Sequence, residues 1–211
     1  CIMKIGPKYK ICRRLGSRVF GKCQTTKFSI SGSAKTTSRK ARRGRGLSDY
    51  GAQLIEKQKA RYTYGLKERQ FASYVVKARS LSALTHNPAA ALYQKLESRL
   101  DNVVFRLGLA PSRPAARQLV THGHIMVNGR RLNIPSYQVA LGDLVTPRPE
   151  SLRLPIFRNR EEGETPVTVA RPTWLEFDVV ARAGKKIHEP ALGQTEIDLN
   201  FGSILEFYSR V

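Results

Sequence analysis

The sequence contains a run of arginines with few acidic residues to neutralise them. Residues 98–149 hold seven arginines against Asp101 and Asp143. A guanidinium group presents a planar fork of donors that matches phosphate oxygens and stacks on bases. Such a run is often only a solvated face, but the shortage of carboxylates favours a nucleic-acid-binding surface. The arginines concerned are Arg99, Arg106, Arg113, Arg117, Arg130, Arg131 and Arg148.

Helix signals occupy the first half of this region. Apolar residues at i, i+3, i+4 and i+7 predict a helix over 100–107, which Gly108 can end in a left-handed conformation. Ser112, a good N-cap, precedes Pro114, which fits the first turn of a second and shorter helix. Arg99 and Arg106 are seven residues apart and so lie on one side of the first helix. Arg113 and Arg117 are four residues apart and share a face of the second helix.

Strand signals occupy the second half. Asn128 and Gly129 lie between two short β-prone runs, which is the strongest local hairpin pattern because both turn residues need positive φ. The apolar run 144–146 predicts one more strand. The region 98–147 is therefore predicted to be helix, helix, hairpin and strand.

The formal net charge of +21 predicts a polyanionic partner. Residues 1–48 carry 14 Lys and Arg and no acidic residue, whereas residues 150–211 carry 8 basic and 10 acidic residues. We expect no membrane partner, since residues 1–48 lack the wide apolar face of a lipid-binding helix. The three cysteines form an odd number, and no secretion signal is expected, so reduced thiols and a cytoplasmic location are predicted.

The flanking segments differ in character. The N-terminal segment has weak periodicity and a cluster of five cations over 39–45, so it is predicted to be extended and to order on RNA. Helices are predicted over about 48–62, over about 66–78 and from Asn87 onward, with aromatic residues in the core. After residue 147 we expect mostly loop, then a strand over 174–180 and a terminal apolar run that docks on the helical half.

Residues 99–130, which read RLDNVVFRLGLAPSRPAARQLVTHGHIMVNGR, resemble the RNA-binding motif named after ribosomal protein S-four. Several protein families carry this motif, and the rest of the chain distinguishes among them. Residues 47–51 (LSDYG), 68–71 (ERQF), 172–176 (PTWLE) and 205–209 (LEFYS), in this order, are similar to the bacterial-type ribosomal protein S-four family.

This resemblance implies an α+β fold. It comprises a basic extended N-terminal segment (1–47), a helical domain (48–97) on which residues 191–211 pack, and an inserted RNA-binding domain (98–190). The RNA-binding domain would contain the two-helix motif, within 98–147, and a small antiparallel sheet.

The resemblance also implies a non-catalytic component of the small ribosomal subunit. It would bind 16S-type rRNA, nucleate assembly, neighbour the S-five protein and the messenger entry path, and contribute to decoding accuracy. Bacterial and organellar ribosomes both remain open as its location. The residues predicted to contact RNA are Lys8, Arg13, Arg14, Lys40, Arg42, Arg43, Arg45, Lys57, Lys59, Arg61, Arg69, Arg99, Arg106, Arg113, Arg117, His122, Arg130 and Arg131.

No metal or other cofactor is expected. Some members of the family hold zinc with four N-terminal cysteines, but only Cys12 and Cys23 remain at the corresponding positions here. Two thiolates cannot close a tetrahedral shell. Asp101 lies in an Arg-Leu-Asp triplet shared with pseudouridine synthases, but the chain after the motif is too short for that catalytic domain. Asp101 is therefore predicted to be a local helix-end or arginine partner.

Two rival readings use the same motif, an RNA-modifying enzyme and a ribosome-associated heat-shock factor. Both families lack the N-terminal helical half. An additional role as a free RNA chaperone or transcription-linked regulator remains open.

Overall fold

The computed structural model describes residues 5–24, 28, 48–85, 87–158, 172–193 and 199–210. The helices are α1 (Lys8–Leu15), α2 (Asp49–Thr63), α3 (Glu68–Thr85), α4 (Pro88–Glu97), α5 (Leu100–Arg106), α6 (Arg113–Thr121), α7 (Pro155–Arg158) and α8 (Phe201–Ser209). The strands are β1 (Ile125–Val127), β2 (Arg130–Arg131), β3 (Leu144–Pro147), β4 (Leu175–Asp178) and β5 (Ala183–Lys186). The predicted α+β class is confirmed.

The chain divides into two compact units, residues 3–76 with 197–211 and residues 77–196. Helix α4 therefore groups with the second unit, whereas the sequence suggested a border after residue 97. Within the described ranges, no helix is both long enough and apolar enough to cross a membrane.

Helix α2 of the first unit packs against the C-terminal helix α8. Ser48 caps α2 by accepting a hydrogen bond from the Gly51 amide, and Asn200 caps α8 in the same way through the Ser203 amide. Gln53 of α2 donates to Glu206 of α8 at 2.9 Å. The terminal apolar run is thus a helix whose buried side carries Phe201, Ile204 and Phe207.

The N-terminal segment is folded where the structure describes it, which corrects the expectation of extended chain over 1–47. Helix α1 ends at Gly16, whose φ of 61° is the left-handed C-cap conformation. The apolar residues Leu15, Val19 and Phe20 pack with buried Cys12, Cys23 and Phe28 and with Ile55 and Tyr62 of α2. Burial of these side chains offsets the repulsion among the cations. Residues 29–47 lie outside the described residues.

The second unit places α5 and α6 beside a five-stranded antiparallel sheet of order β2-β1-β3-β5-β4. The hairpin prediction is confirmed, with Asn128 and Gly129 at φ 50° and 77°. Leu100, Val103, Val104 and Leu107 are at most 1% exposed and share a core with Val120, Ile125, Val145 and Trp174.

The sequence did not predict β5, which pairs with both β3 and β4. Its Gly184 lies where an added Cβ would be 2.2 Å from Leu107 Cδ1, so a side chain there would collide with the core. The expected loop after residue 147 also contains a short 3₁₀ helix, Pro149–Arg153, and α7. The antiparallel pairing of β1 with β3 places the start of β1 beside the end of β3, with Ile125 opposite Pro147.

Candidate nucleic-acid interface

A buried carboxylate, Glu97, organises one set of the predicted arginines. Arg106 donates two hydrogen bonds to it, from Nε at 3.0 Å and from Nη2 at 3.1 Å. Asn102 donates to the same carboxylate at 2.9 Å. Arg106 is 3% exposed and Glu97 0%, so this ion pair belongs to the core.

Asp101 organises a second set. Arg99 donates to it from Nε at 3.0 Å and from Nη2 at 2.8 Å, and Arg117 donates from Nε at 2.8 Å. The expected role of Asp101 as a local arginine partner is confirmed. The prediction that Arg99 and Arg106 contact RNA is corrected, because a guanidinium that is enclosed and paired cannot reach a phosphate.

Arg113 and Arg117 lie at the margin of this network. Arg113 donates from Nε to the side-chain oxygen Oδ1 of Asn102 at 2.8 Å, and its guanidinium lies 4.5 Å from the centre of the Phe105 ring. Arg113 is half-buried, whereas the Arg117 side chain retains only 13% of its exposure. These contacts fix the direction of both side chains, and both stay predictions as RNA contacts.

The hairpin presents the most accessible cations of the predicted set in this unit. Arg130 and Arg131 form β2, an edge strand, and both are exposed. Arg131 lies over Gly123, where an added Cβ would be 2.2 Å from its Nε, and its Nη2 donates to the His122 carbonyl at 3.4 Å. Gly123 has a φ of 74°, so its lack of a side chain both permits the turn and leaves space for the Arg131 side chain.

Two further basic side chains, which the predicted RNA-contact set omits, lie beside this turn. The Arg148 amide donates to the His124 carbonyl at 2.8 Å, and His124 Nδ1 lies 2.9 Å from Ser151 Oγ. Burial, and then the positive charges of His122, Arg131 and Arg148, lower the pKa of His124. The antiparallel pairing of β1 with β3 joins residues 24 positions apart, and the hairpin pattern alone did not indicate that partner.

In the first unit, one of the cations predicted to contact RNA is buried. Lys57 is 6% exposed, donates to Glu68 at 2.8 Å and lies 4.4 Å from the centre of the Phe207 ring. The prediction that it contacts RNA is therefore corrected. Lys59 pairs with Glu56 at 2.6 Å, and Arg61 lies 3.6 Å from Glu68 and stacks over Tyr62.

The other predicted cations of this unit lie on its surface or outside the described residues. Arg13, Arg14 and Arg69 are exposed, and Lys8 is half-buried with Nζ 6.0 Å from the centre of the Phe20 ring. Lys40, Arg42, Arg43 and Arg45 lie outside the described residues. All of these stay predictions.

The positions of the family's zinc ligands hold a different kind of cluster here. Cys12 and Cys23 are buried thiols, and Tyr9 and Phe28 take the other two positions, with ring centres 5.2 Å apart. Burial, with a hydrogen bond to Cys12, raises the pKa of Cys23 to about 12. Structural zinc requires four ligands, and aromatic rings at two of the four positions do not fit the metal.

Comparison with known proteins adds similarity along the whole chain. A family model described as the ribosomal protein S4/S9 N-terminal domain matches residues 3–97, and one described as the S4 domain matches residues 98–145. Small ribosomal subunit protein uS4 of Roseiflexus castenholzii is 46% identical over 206 residues, covering 98% of both chains. The protein of that name in Limosilactobacillus reuteri is 41% identical over 214 residues, covering 97% of this chain and 98% of its own.

Proposed function

This chain belongs to the uS4 family of small ribosomal subunit proteins, and we propose that it is a structural, non-catalytic component of the small ribosomal subunit that binds the subunit's rRNA directly. The observation that carries the proposal is similarity to proteins named small ribosomal subunit protein uS4 over 98% of the chain. The net charge of +21 and the exposed cations of the hairpin support a polyanionic partner.

The binding mechanism that follows is electrostatic and shape-based. Arg130 and Arg131 would contact backbone phosphates directly, and Arg113 and Arg117 would add contacts at the margin of the buried network. Glu97 and Asp101 hold the network rigid, so that little side-chain conformational freedom is lost when RNA binds. Phosphate contacts fix orientation, and folded RNA is recognised largely by shape and by its phosphate positions.

A finer set of roles belongs to the same proposal. Early binding would nucleate subunit assembly, and a position beside the S-five protein and the messenger entry path would let the chain contribute to decoding accuracy. The expected location is a ribosome in the cytoplasm. The family resemblance supports these roles, and each rests on binding to small-subunit rRNA.

A competition experiment tests direct rRNA binding. The full chain is titrated into labelled 16S-type rRNA, and unlabelled small-subunit or large-subunit rRNA of equal length is added as competitor. We expect the small-subunit RNA to compete at least about 100-fold more effectively, because specific complexes typically exceed non-specific ones by about a thousandfold or more. Equal competition by both RNAs would show that the protein binds RNA only by non-specific charge attraction.

A further inference from the structure

Four basic side chains, two arginines and two histidines, converge where three neighbouring strands of the second unit end. Arg131 lies at the end of β2, His124 immediately before β1 and Arg148 immediately after β3. The sheet order β2-β1-β3 makes these ends adjacent. His122, across Gly123 from His124, completes the group, with its ring centre 6.0 Å from that of His124.

The contacts of these residues hold the group together. Arg131 is drawn onto the turn by the His122 carbonyl and by the space above Gly123. His124 is oriented by Ser151, which is 5% exposed. The ends of β1 and β3 are tied by the hydrogen bond from the Arg148 amide to the His124 carbonyl.

Among the residues that the structure describes, Glu150 is the carboxylate that faces the group. Glu150 pairs with Arg148 through its Oε2, and its own side chain is 69% exposed. The hydrogen bond from Arg148 and the charges of Arg148 and Arg131 outweigh desolvation and lower the pKa of Glu150. An exposed ion pair of this kind is worth little in water, so a phosphate can replace Glu150 as the partner of Arg148.

We propose that His122, His124, Arg131 and Arg148 form one subsite for a backbone phosphate of RNA, and that phosphate binding there is coupled to proton uptake by the imidazoles. The proposal rests on the proposed function and deepens it, because it names the phosphate as the ligand and the proton as the co-ligand. Phosphate binding at this subsite thus depends on these four residues rather than on the net charge of the whole chain.

The sign of the coupling follows from the charges present. In the free protein the neighbouring cations and burial disfavour the protonated form of His124. A phosphodiester placed among the same groups supplies negative charge and favours that form. Binding therefore takes up protons, and affinity rises as the pH falls through the range in which imidazoles titrate, about 5 to 8.

The test measures RNA affinity against pH in matched variants. The dissociation constant of the full chain for 16S-type rRNA is determined between about pH 5.5 and 8 at constant ionic strength, for the parent and for H122Q/H124Q. H188Q is the control, because His188 is exposed and lies after β5, away from the three strand ends. The single variant H122Q repeats the measurement at an exposed position, in case the double substitution perturbs folding.

We expect the parent and H188Q to bind about tenfold more tightly at the acidic end, since one unit of pKa change on one imidazole is a factor of ten in affinity. H122Q/H124Q should lose most of that gain, and H122Q part of it. Equal pH dependence in all four proteins, with RNA binding intact, overturns the subsite and leaves the proposed function standing. Absence of specific RNA binding at every pH removes both.

Two glycine substitutions provide a second test of the subsite. Gly123→Ala places a methyl group against Arg131, whereas Gly129→Ala adds one at a similar positive φ of 77° with nothing within 4 Å. Both carry the same backbone strain, so their difference in RNA affinity reports the displaced guanidinium. The proposal expects G123A to bind several-fold more weakly than G129A at the acidic end, and equal affinities contradict it.

Discussion

Glu97 and Asp101 decide which arginines of the second unit are available to RNA. Each is at most 3% exposed, and together they pair with Arg99, Arg106 and Arg117. The sequence showed an excess of arginine over acid, and that excess is real. It did not show that Glu97 and Asp101 are buried and that each pairs with a nearby arginine. Arg130 and Arg131 of the hairpin are among the described cations that remain exposed.

The Glu97–Arg106 pair yields a prediction for stability. Arg106→Ala should lower the free energy of unfolding by about 3–5 kcal/mol, because it leaves the Glu97 carboxylate buried without its charged partner. Urea unfolding followed by circular dichroism measures the change. Arg130→Ala, on the exposed edge strand, is the matched control and should change stability by no more than about 0.5 kcal/mol.

A double variant separates a lost charge partner from lost packing. Glu97→Gln/Arg106→Met removes both charges and should recover much of the stability that Arg106→Ala loses, since no lone buried charge remains. If the double variant were as unstable as Arg106→Ala, packing of the long side chain rather than its charge would be the stabilising feature.

Among the elements, helices α2, α3 and α8 meet at the carboxylate of Glu68. Lys57 of α2 donates to it at 2.8 Å and the Tyr208 hydroxyl of α8 donates at 2.7 Å. Burial alone would raise the pKa of Glu68, but these bonds and the charges of Lys57 and Arg61 bring the pKa below its usual value. Burial and the same carboxylate raise the pKa of Tyr208.

This junction predicts how the stability of the first unit depends on pH. Because the pKa of Glu68 is lower in the folded chain, its contribution is fully present above the unfolded value near 4.5 and is lost as the pH falls through the folded value. The Glu68 side chain is 45% exposed, so solvent screening limits the contribution to about 1 kcal/mol. Glu68→Gln should therefore be less stable than the parent at neutral pH and should approach it in acid.

Urea unfolding at a series of pH values checks this prediction. Glu176→Gln is the control, since Glu176 is an exposed carboxylate on β4 of the second unit. Parallel pH curves for the parent and Glu68→Gln would show that the carboxylate does not join the three helices in its charged form.

Across the whole molecule, the positive charge is concentrated in the first three-quarters of the chain. Replacing Lys40, Arg42, Arg43 and Arg45 with glutamine should reduce the slope of log affinity against log salt by about three units, if the segment makes four phosphate contacts. The measurement is the affinity for 16S-type rRNA at several salt concentrations. Substituting Thr36, Thr37 and Ser38 with glutamine alters the same segment without changing its charge and should keep the parent slope.

An unchanged slope in the variant without these four cations would mean that the segment does not contact RNA. Arg13 and Arg14, which are exposed on α1, would then be the next cations of the first unit to substitute. The packed cluster around Cys12 and Phe28 holds them on a folded surface, so removal of residues 1–46 would also unfold part of the unit and is a poorer experiment than substitution.

The sequence by itself determined the features that depend on neighbours along the chain. The caps at Ser48, Ser112 and Asn87, the apolar face of α5 and the Asn128-Gly129 hairpin are local patterns, and each is in place. The family was also recoverable, because its motifs occur in order along the whole length.

Only the tertiary structure decided which charges are buried and which strand ends meet. Strand β5, with its Ala-Gly-Lys-Lys sequence, has no β pattern and exists through its pairing with β3 and β4. Lys57, Arg99 and Arg106 looked like surface cations because the sequence does not show that packing buries them beside their carboxylate partners. Burial and pairing depend on residues brought together by packing, and composition and periodicity carry no record of that arrangement.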